Sequence, residues 1–272
     1  MTVASIGICC ALTYARMFFK KKDRRDDGGF SVRKCERDEL GRRAARFVLD
    51  ELRKVIERKG HARVIFATGN SQMNFIQALV DMQYDRLWNK VTAFHLDEYV
   101  GISETHPASF RRYLRERLFE KLPFMSVHYL DPTKPTDAYA KLLLEGPIDI
   151  ACIGIGENGH IAFNDPPVAD FADKFMVKRV ELDTACRKQQ VGEGWFESLE
   201  TTPTHAVTLT VPAIMRSCVI SCVVPDERKA RAVRDMMSLA KPETKVPASI
   251  LRTHRKCVLW LDGGSASLLP SS

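Results

Sequence analysis

The chain has 272 residues, 45% hydrophobic and 28% charged, which is ordinary for a soluble globular protein and enough for one large domain or two small ones. Of its formal charge of +7, from 41 basic and 34 acidic residues, +3 falls within residues 1–27. The rest is interleaved with acids, which argues against a nucleic-acid face and leaves a modest positive bias that suits a small anionic ligand.

The N-terminal stretch Val3–Ala15 is apolar, and Arg16 and then Lys20-Lys21-Lys22 follow it. It is short for a membrane span, which takes roughly 20 residues. No basic segment precedes it and no clear cleavage site follows, so it reads as a loosely ordered extension covering residues 1–29. The eight cysteines contain no C-x-x-C. Cys152, Cys218 and Cys222 lie in apolar runs, where a thiol acts as a small core side chain. The set reads as reduced thiols in a cytosolic protein.

From Phe30 a regular alternation begins. Phe30–Cys35 reads as a strand, and Asp38 as the cap of a helix whose apolar residues Leu40, Ala44, Phe47, Val48, Leu52, Val55 and Ile56 recur at helical spacing up to Gly60. Strands follow at Arg63–Ala67, Val91–His95, Val127–Leu130 and Ile148–Ile153. Between them helices are expected from Ser71 to about Tyr84, from near Pro107, and over Thr136–Leu144. The pattern fades for about forty residues after Pro167. It resumes with strands at Ala206–Val211, Cys218–Val224 and Cys257–Leu261 and a helix from Glu227 to about Leu239. Near-continuous apolar strands between amphipathic helices predict an α/β fold: a doubly wound, mainly parallel sheet with helices on both faces, filling a single domain over residues 30–263, with 264–272 as a tail. In such folds ligands bind beyond the carboxyl ends of the strands, so the informative loops are those that follow strands.

Three such loops stand out. Ala67-Thr68-Gly69-Asn70-Ser71 leaves a strand and enters a helix. Gly69 permits close backbone approach there, and Asn70 or Ser71 can cap the helix, which makes an anion site. His95-Leu96-Asp97-Glu98-Tyr99 puts two adjacent carboxylates after a strand. Their side chains should diverge, one facing the crevice as a base and the other making a structural contact. Gly154, Gly156 and Gly159 spell G-x-G-x-x-G, but Asn164-Asp165-Pro166-Pro167 follows where a dinucleotide loop would open into a helix. The glycines are better read as a tight loop presenting His160, with Glu157, Asn158 and Asp165 nearby to fix its tautomer.

Together the stretches Ala67–Ser71, Leu96–Gly101 with His106-Pro107 after it, and Gly159–Pro166 resemble the glucosamine-6-phosphate deaminase family, which shares its fold with 6-phosphogluconolactonases and some sugar-phosphate isomerases. Lactonases typically carry Asp-Glu-Arg and Gly-His-Thr-Ala-Ser at the second and third of these stretches, so Asp97-Glu98-Tyr99 and His160-Ile161-Ala162-Phe163-Asn164 favour the deaminase branch. The resemblance implies that Asp97 is the base moving a proton between C2 and C1 and that His160 opens the sugar ring, with Asn158 and Asp165 beside it. It also implies that Thr68, Gly69, Asn70 and Ser71 cradle a phosphate that Lys229 also reaches. The substrate would be a small phosphorylated amino sugar, with no metal, no organic cofactor and no nucleic acid involved. An assembly of several copies is implied too, while the cytoplasmic location is expected from the reduced thiols.

The departures are Asn158 and Asp165, where the family usually has Asp and Glu, and the segment Asp183–Phe196, which replaces a part supplying a phosphate-binding arginine. Arg187 or Lys188 are the candidate substitutes there. The alternative functions are a 6-phosphogluconolactonase-type hydrolase, in which His160 would activate water, or a sugar-phosphate-binding regulatory module. The lack of an appended helix-turn-helix speaks against the second.

Overall fold

The structure, a computed structural model, describes residues 29–82 and 85–270. The expected N-terminal extension up to residue 28, including its apolar stretch, lies outside the described residues, as does Tyr84 at the expected end of the second helix. No helix among the described residues is long and apolar enough to cross a membrane.

Strand β1 (Gly29–Lys34) is followed by α1 (Arg37–Lys59), β2 (Ala62–Phe66), α2 (Met73–Asp81), α3 (Asp85–Trp88), β3 (Val91–His95), β4 (Asp97–Tyr99), α4 (Phe110–Leu114), β5 (Ser126–His128), α5 (Thr136–Leu144) and β6 (Ile150–Ile153). The second half contains β7 (Val177–Glu181), α6 (Thr184–Gly192), β8 (His205–Leu209), α7 (Val211–Met215), β9 (Val219–Val224), α8 (Ala230–Ser238) and β10 (Lys256–Leu261). Seven strands form one sheet in the order β1-β10-β9-β6-β2-β3-β5, with every neighbouring pair parallel.

The sheet is covered on both faces, as the near-continuous apolar strands require. Successive residues of one strand feed opposite cores. Val64 and Phe66 of β2 join the cluster with α1, α2 and Trp88, whereas Ile65 and Ala67 join the cluster with α5, α7 and α8. Cys152 and Cys222 lie in these cores as small apolar side chains. All six described cysteines are free.

Helix α1 is held by its apolar stripe and closed by Gly60, whose φ of 79° is the left-handed conformation that ends helices. Asp38 does not cap it. The helix already begins at Arg37 after Glu36, and Asp38 sits in the first turn, where its charge suits the helix dipole. Close packing of α1 on α2 depends on Gly41, where a Cβ would come within 2.6 Å of the Asn74 main chain. Gly41→Ala is therefore expected to cost ~1–3 kcal/mol through overpacking, read as a shift of the urea midpoint; an unchanged midpoint would show that the helices can part freely.

The second sheet is an addition to the expected fold. β4, β8 and β7 form a three-stranded antiparallel sheet in the order β4-β8-β7. Its own small core contains Tyr99, Phe110, Phe163, Val180, Leu182 and Phe196. After β10 the chain turns back, and Leu269 packs into the main core.

Candidate active site

The chain order along the main sheet reverses between β2 and β6. Strands β3 and β5 lie to one side of β2, and β6, β9, β10 and β1 to the other. A crevice opens at such a reversal, beyond the carboxyl ends of the strands. A cavity enclosing about 550 Å³, its open mouth included, lies there. Thr68, Gly69 and Ser71 after β2, Asp97 after β3, Gly156 and His160 after β6 and Lys229 after β9 all line it.

The loop after β2 turns at Gly69, whose φ of 97° and ψ of 168° belong to a region open only to glycine. Neither Asn70 nor Ser71 caps a helix with its side chain. The turn begins as a short 3₁₀ segment, Asn70–Gln72, and α2 proper starts at Met73. Asn70 does not line the cavity. Its amide donates to the Glu193 carbonyl at 3.2 Å, so it anchors a neighbouring loop.

The two adjacent acids do diverge. Asp97 lines the cavity, only 5% exposed. Burial, and then the neighbouring Glu98 charge, hold its carboxyl well above the usual carboxylate range. Glu98 faces the other way, where it accepts hydrogen bonds from the backbone N–H groups of Phe110 at 3.1 Å and Arg111 at 2.8 Å and from the Ser109 hydroxyl at 2.9 Å. It thus satisfies the free donors at the start of α4. Glu98→Ala should orphan these buried donors at ~1–3 kcal/mol each, measurable by chemical denaturation; full stability in the variant would contradict the capping role.

The loop after β6 does present His160. A Cβ on Gly156 would lie 2.2 Å from the imidazole, so the ring packs directly against glycine backbone. Gly159 has a φ of 84°, and Ala162, also lining the cavity, is held at a φ of 50°, the kind of strain that gathers at functional sites. The Nδ1 atom of His160 lies 2.8 Å from Asp165 Oδ1, so the shorter acid does reach the ring. Asn158 makes no hydrogen bond to the imidazole. It accepts from the His160 backbone N–H at 3.0 Å and donates to Asp165 Oδ1 at 2.8 Å, bracing both. Burial pushes the Asp165 pKa up, but the His160 charge and the surrounding hydrogen bonds outweigh it and leave the carboxyl below its ordinary value.

Lys229 follows β9 in a 3₁₀ turn that starts at Asp226, which has a φ of 86°. It is 4% exposed, and burial lowers its pKa. Its Nζ lies 3.5 Å from Glu193 Oε1. Glu193 also accepts from Gln189 at 2.8 Å and Trp195 at 3.2 Å.

Gln189, Gln190 and Glu193, on or just after α6, line the cavity too and were missed in the sequence. In the sequence of Asp183–Phe196 the cations Arg187 and Lys188 are the candidates for an anion site. Yet Arg187 bonds the carbonyls of Leu199 and Thr202, and Lys188 is exposed, so neither reaches the cavity. Among the described residues, His160, Asp165 and Cys186 are the one cluster of three metal-ligand types.

The arrangement brings a buried carboxyl, an acid-paired imidazole and a buried lysine around one crevice. Residues 35–260 match the family model of glucosamine-6-phosphate isomerases and 6-phosphogluconolactonases. A protein of Exiguobacterium named glucosamine-6-phosphate deaminase is 35% identical over 206 residues, covering 74% of this chain and 78% of that protein. One of the same name from Lactobacillus delbrueckii is 32% identical, covering 85% and 95%. The solved structure of a monomeric glucosamine-6-phosphate deaminase superposes with a TM-score of 0.78 at 29% identity, over 88% of this chain and 99% of that one. With its sheet, its three strand-end loops and the sequence matched over most of its length, the chain belongs to the glucosamine-6-phosphate isomerase/6-phosphogluconolactonase family.

Proposed function

We propose that the protein converts glucosamine 6-phosphate and water to fructose 6-phosphate and ammonia. The observation that carries this is the convergence of Asp97 and the His160–Asp165 pair on one cavity, with Lys229 and the Thr68–Gly69–Ser71 backbone also lining it. Lys229 and that loop hold the phosphate, so that binding energy remote from the chemistry positions the reacting carbons. The Asp165 carboxylate beside Nδ1 favours hydrogen on that nitrogen and steadies the imidazolium. Nε2 is then left to exchange a proton with the ring oxygen as the pyranose opens. Asp97 takes the C2 proton of the open aldose and returns it to C1. One ammonium proton passes to the C1 oxygen, so the nitrogen is left on C2 as an iminium, and water hydrolyses this to the ketone and ammonia.

Every group named comes from one chain, so turnover requires no second copy. The six free thiols suit a reducing, cytoplasmic setting. A lactonase would share the phosphate handle but would have no use for a base at C2. Substrate deuterated at C2 separates the two readings. A slowed reaction with label lost to solvent or carried to C1 is expected, and an unlabelled-like rate with the deuterium retained at C2 would overturn the proposal.

In the free protein the phosphate lysine is already paired with Glu193. A phosphate dianion cannot share a buried lysine with a carboxylate at this distance without strong repulsion, so substrate must displace Glu193. Glu193→Gln removes that competitor. Its KM for the phosphorylated substrate should fall, by ~10-fold for each 1.4 kcal/mol recovered, with tighter inhibition by inorganic phosphate; a raised KM would show instead that Glu193 holds the substrate.

A further inference from the structure

We propose that His160, Asp165 and Cys186 form a binding site for a borderline-soft divalent cation of the zinc or cobalt type, which when bound holds the enzyme inactive. One nitrogen, one carboxylate oxygen and one thiol sulfur all lie within 4.8 Å of one another, and all three residues are buried. Nitrogen, sulfur and oxygen donors are the set these ions prefer, and three protein ligands leave a four-coordinate ion one position for water.

Two further features point to a ligand. Asp165 Oδ2 is buried and accepts no hydrogen bond, and His160 Nδ1 and Asp165 Oδ1 already face each other at 2.8 Å, a pair that an ion can bridge. The donors also come from separate elements that are independently fixed: the loop after β6 supplies His160 and Asp165, and Cys186 sits in the first turn of α6, its backbone N–H held by the Asp183 cap. A bound dication favours the thiolate of Cys186 over the thiol. Binding then expels one proton from the thiol, while the Nδ1 hydrogen moves to Nε2.

The consequence follows from the site. An ion on Nδ1 displaces Asp165 as the partner of the ring, so His160 can no longer carry an extra proton. The ion also fastens α6, and the Glu193 beyond it, over the crevice. This consequence rests on the proposed role of His160, but binding itself does not.

The test is a Co²⁺ titration of the full chain, followed by absorption. Saturable binding of one ion is expected, with a near-ultraviolet thiolate-to-cobalt band and visible bands of a tetrahedral site. Cys186→Ser, which keeps the size of the side chain, should lose the near-ultraviolet band. It should also bind at least ~10–100-fold more weakly, the cost of losing even an outer-shell partner. Asp165→Asn provides a second variant with the same expected loss of affinity. Equal spectra and affinities in wild type and both variants, or no saturable band at all, would overturn the site. These readouts need no turnover, so they stand whether or not the deaminase reaction is found.

Discussion

Asp97→Asn is expected to lower kcat by ~10²–10⁴-fold, the range of a positioned general base, without loss of stability. The amide keeps the shape of the side chain in the cavity but cannot accept the C2 proton. Stability should hold or rise, because burial disfavours the ionised carboxyl. The sign follows from proton linkage. A carboxyl whose pKa is raised by folding stabilises the native state fully below its unfolded value, and that contribution is lost as pH rises through the folded value. The Asp97→Asn variant has no such group to ionise and therefore escapes that loss. The same shift sets the pH profile. Asp97 must be ionised to act, so the acid limb of kcat/KM should fall well above 3.8, the ordinary value for its carboxyl. An acid limb at the ordinary position, or substantial activity in Asp97→Asn, would remove Asp97 from the role.

His160→Gln should cost a similar ~10²–10⁴-fold on the cyclic substrate, but much less on an analogue lacking the C5 hydroxyl, which cannot close the six-membered ring. The contrast isolates ring opening from proton transfer at C2. In the structure the imidazole is pressed on Gly156 and faced by Asp165 at 2.8 Å, so its position is fixed before substrate arrives. Glutamine offers hydrogen bonds but no proton to give. An equal loss on both substrates would mean that His160 serves binding or the C2 chemistry and does not open the ring.

Much of this site was legible before the structure, for a physical reason. Asp97, His160, Asp165 and Lys229 stand just beyond buried apolar strands, and such strands announce themselves by composition. The bounds of α5 and β3 fell where periodicity placed them, at Thr136–Leu144 and Val91–His95. What was hidden lies between Pro167 and His205. The strand β7, Val177-Lys-Arg-Val-Glu181, buries Val177 and Val180, which are three residues apart and break the alternation that marks a strand. Helix α6, Thr184-Ala-Cys-Arg-Lys-Gln-Gln-Val-Gly192, sets only Cys186 and Val191 against the small core of the second sheet and turns Gln189 and Gln190 to the crevice, so no apolar stripe marks it. Its contributions, Gln189, Gln190 and the neighbouring Glu193, are placed by tertiary structure alone. A polar helix beside an expected phosphate site is a weak signal, and Glu193 is opposite in charge to a phosphate ligand. The glycine motif is the reverse case. Its pattern matches a dinucleotide loop, but Gly156 is small to make room for His160.

The most direct test of the account is ammonia release from purified protein supplied with glucosamine 6-phosphate, with Asp97→Asn measured beside it. Ammonia and fructose 6-phosphate are expected in equal amounts from the wild type, with the rate lowered ~10²–10⁴-fold in the variant. Ketose phosphate without ammonia, or ammonia formed equally by the variant, would contradict it.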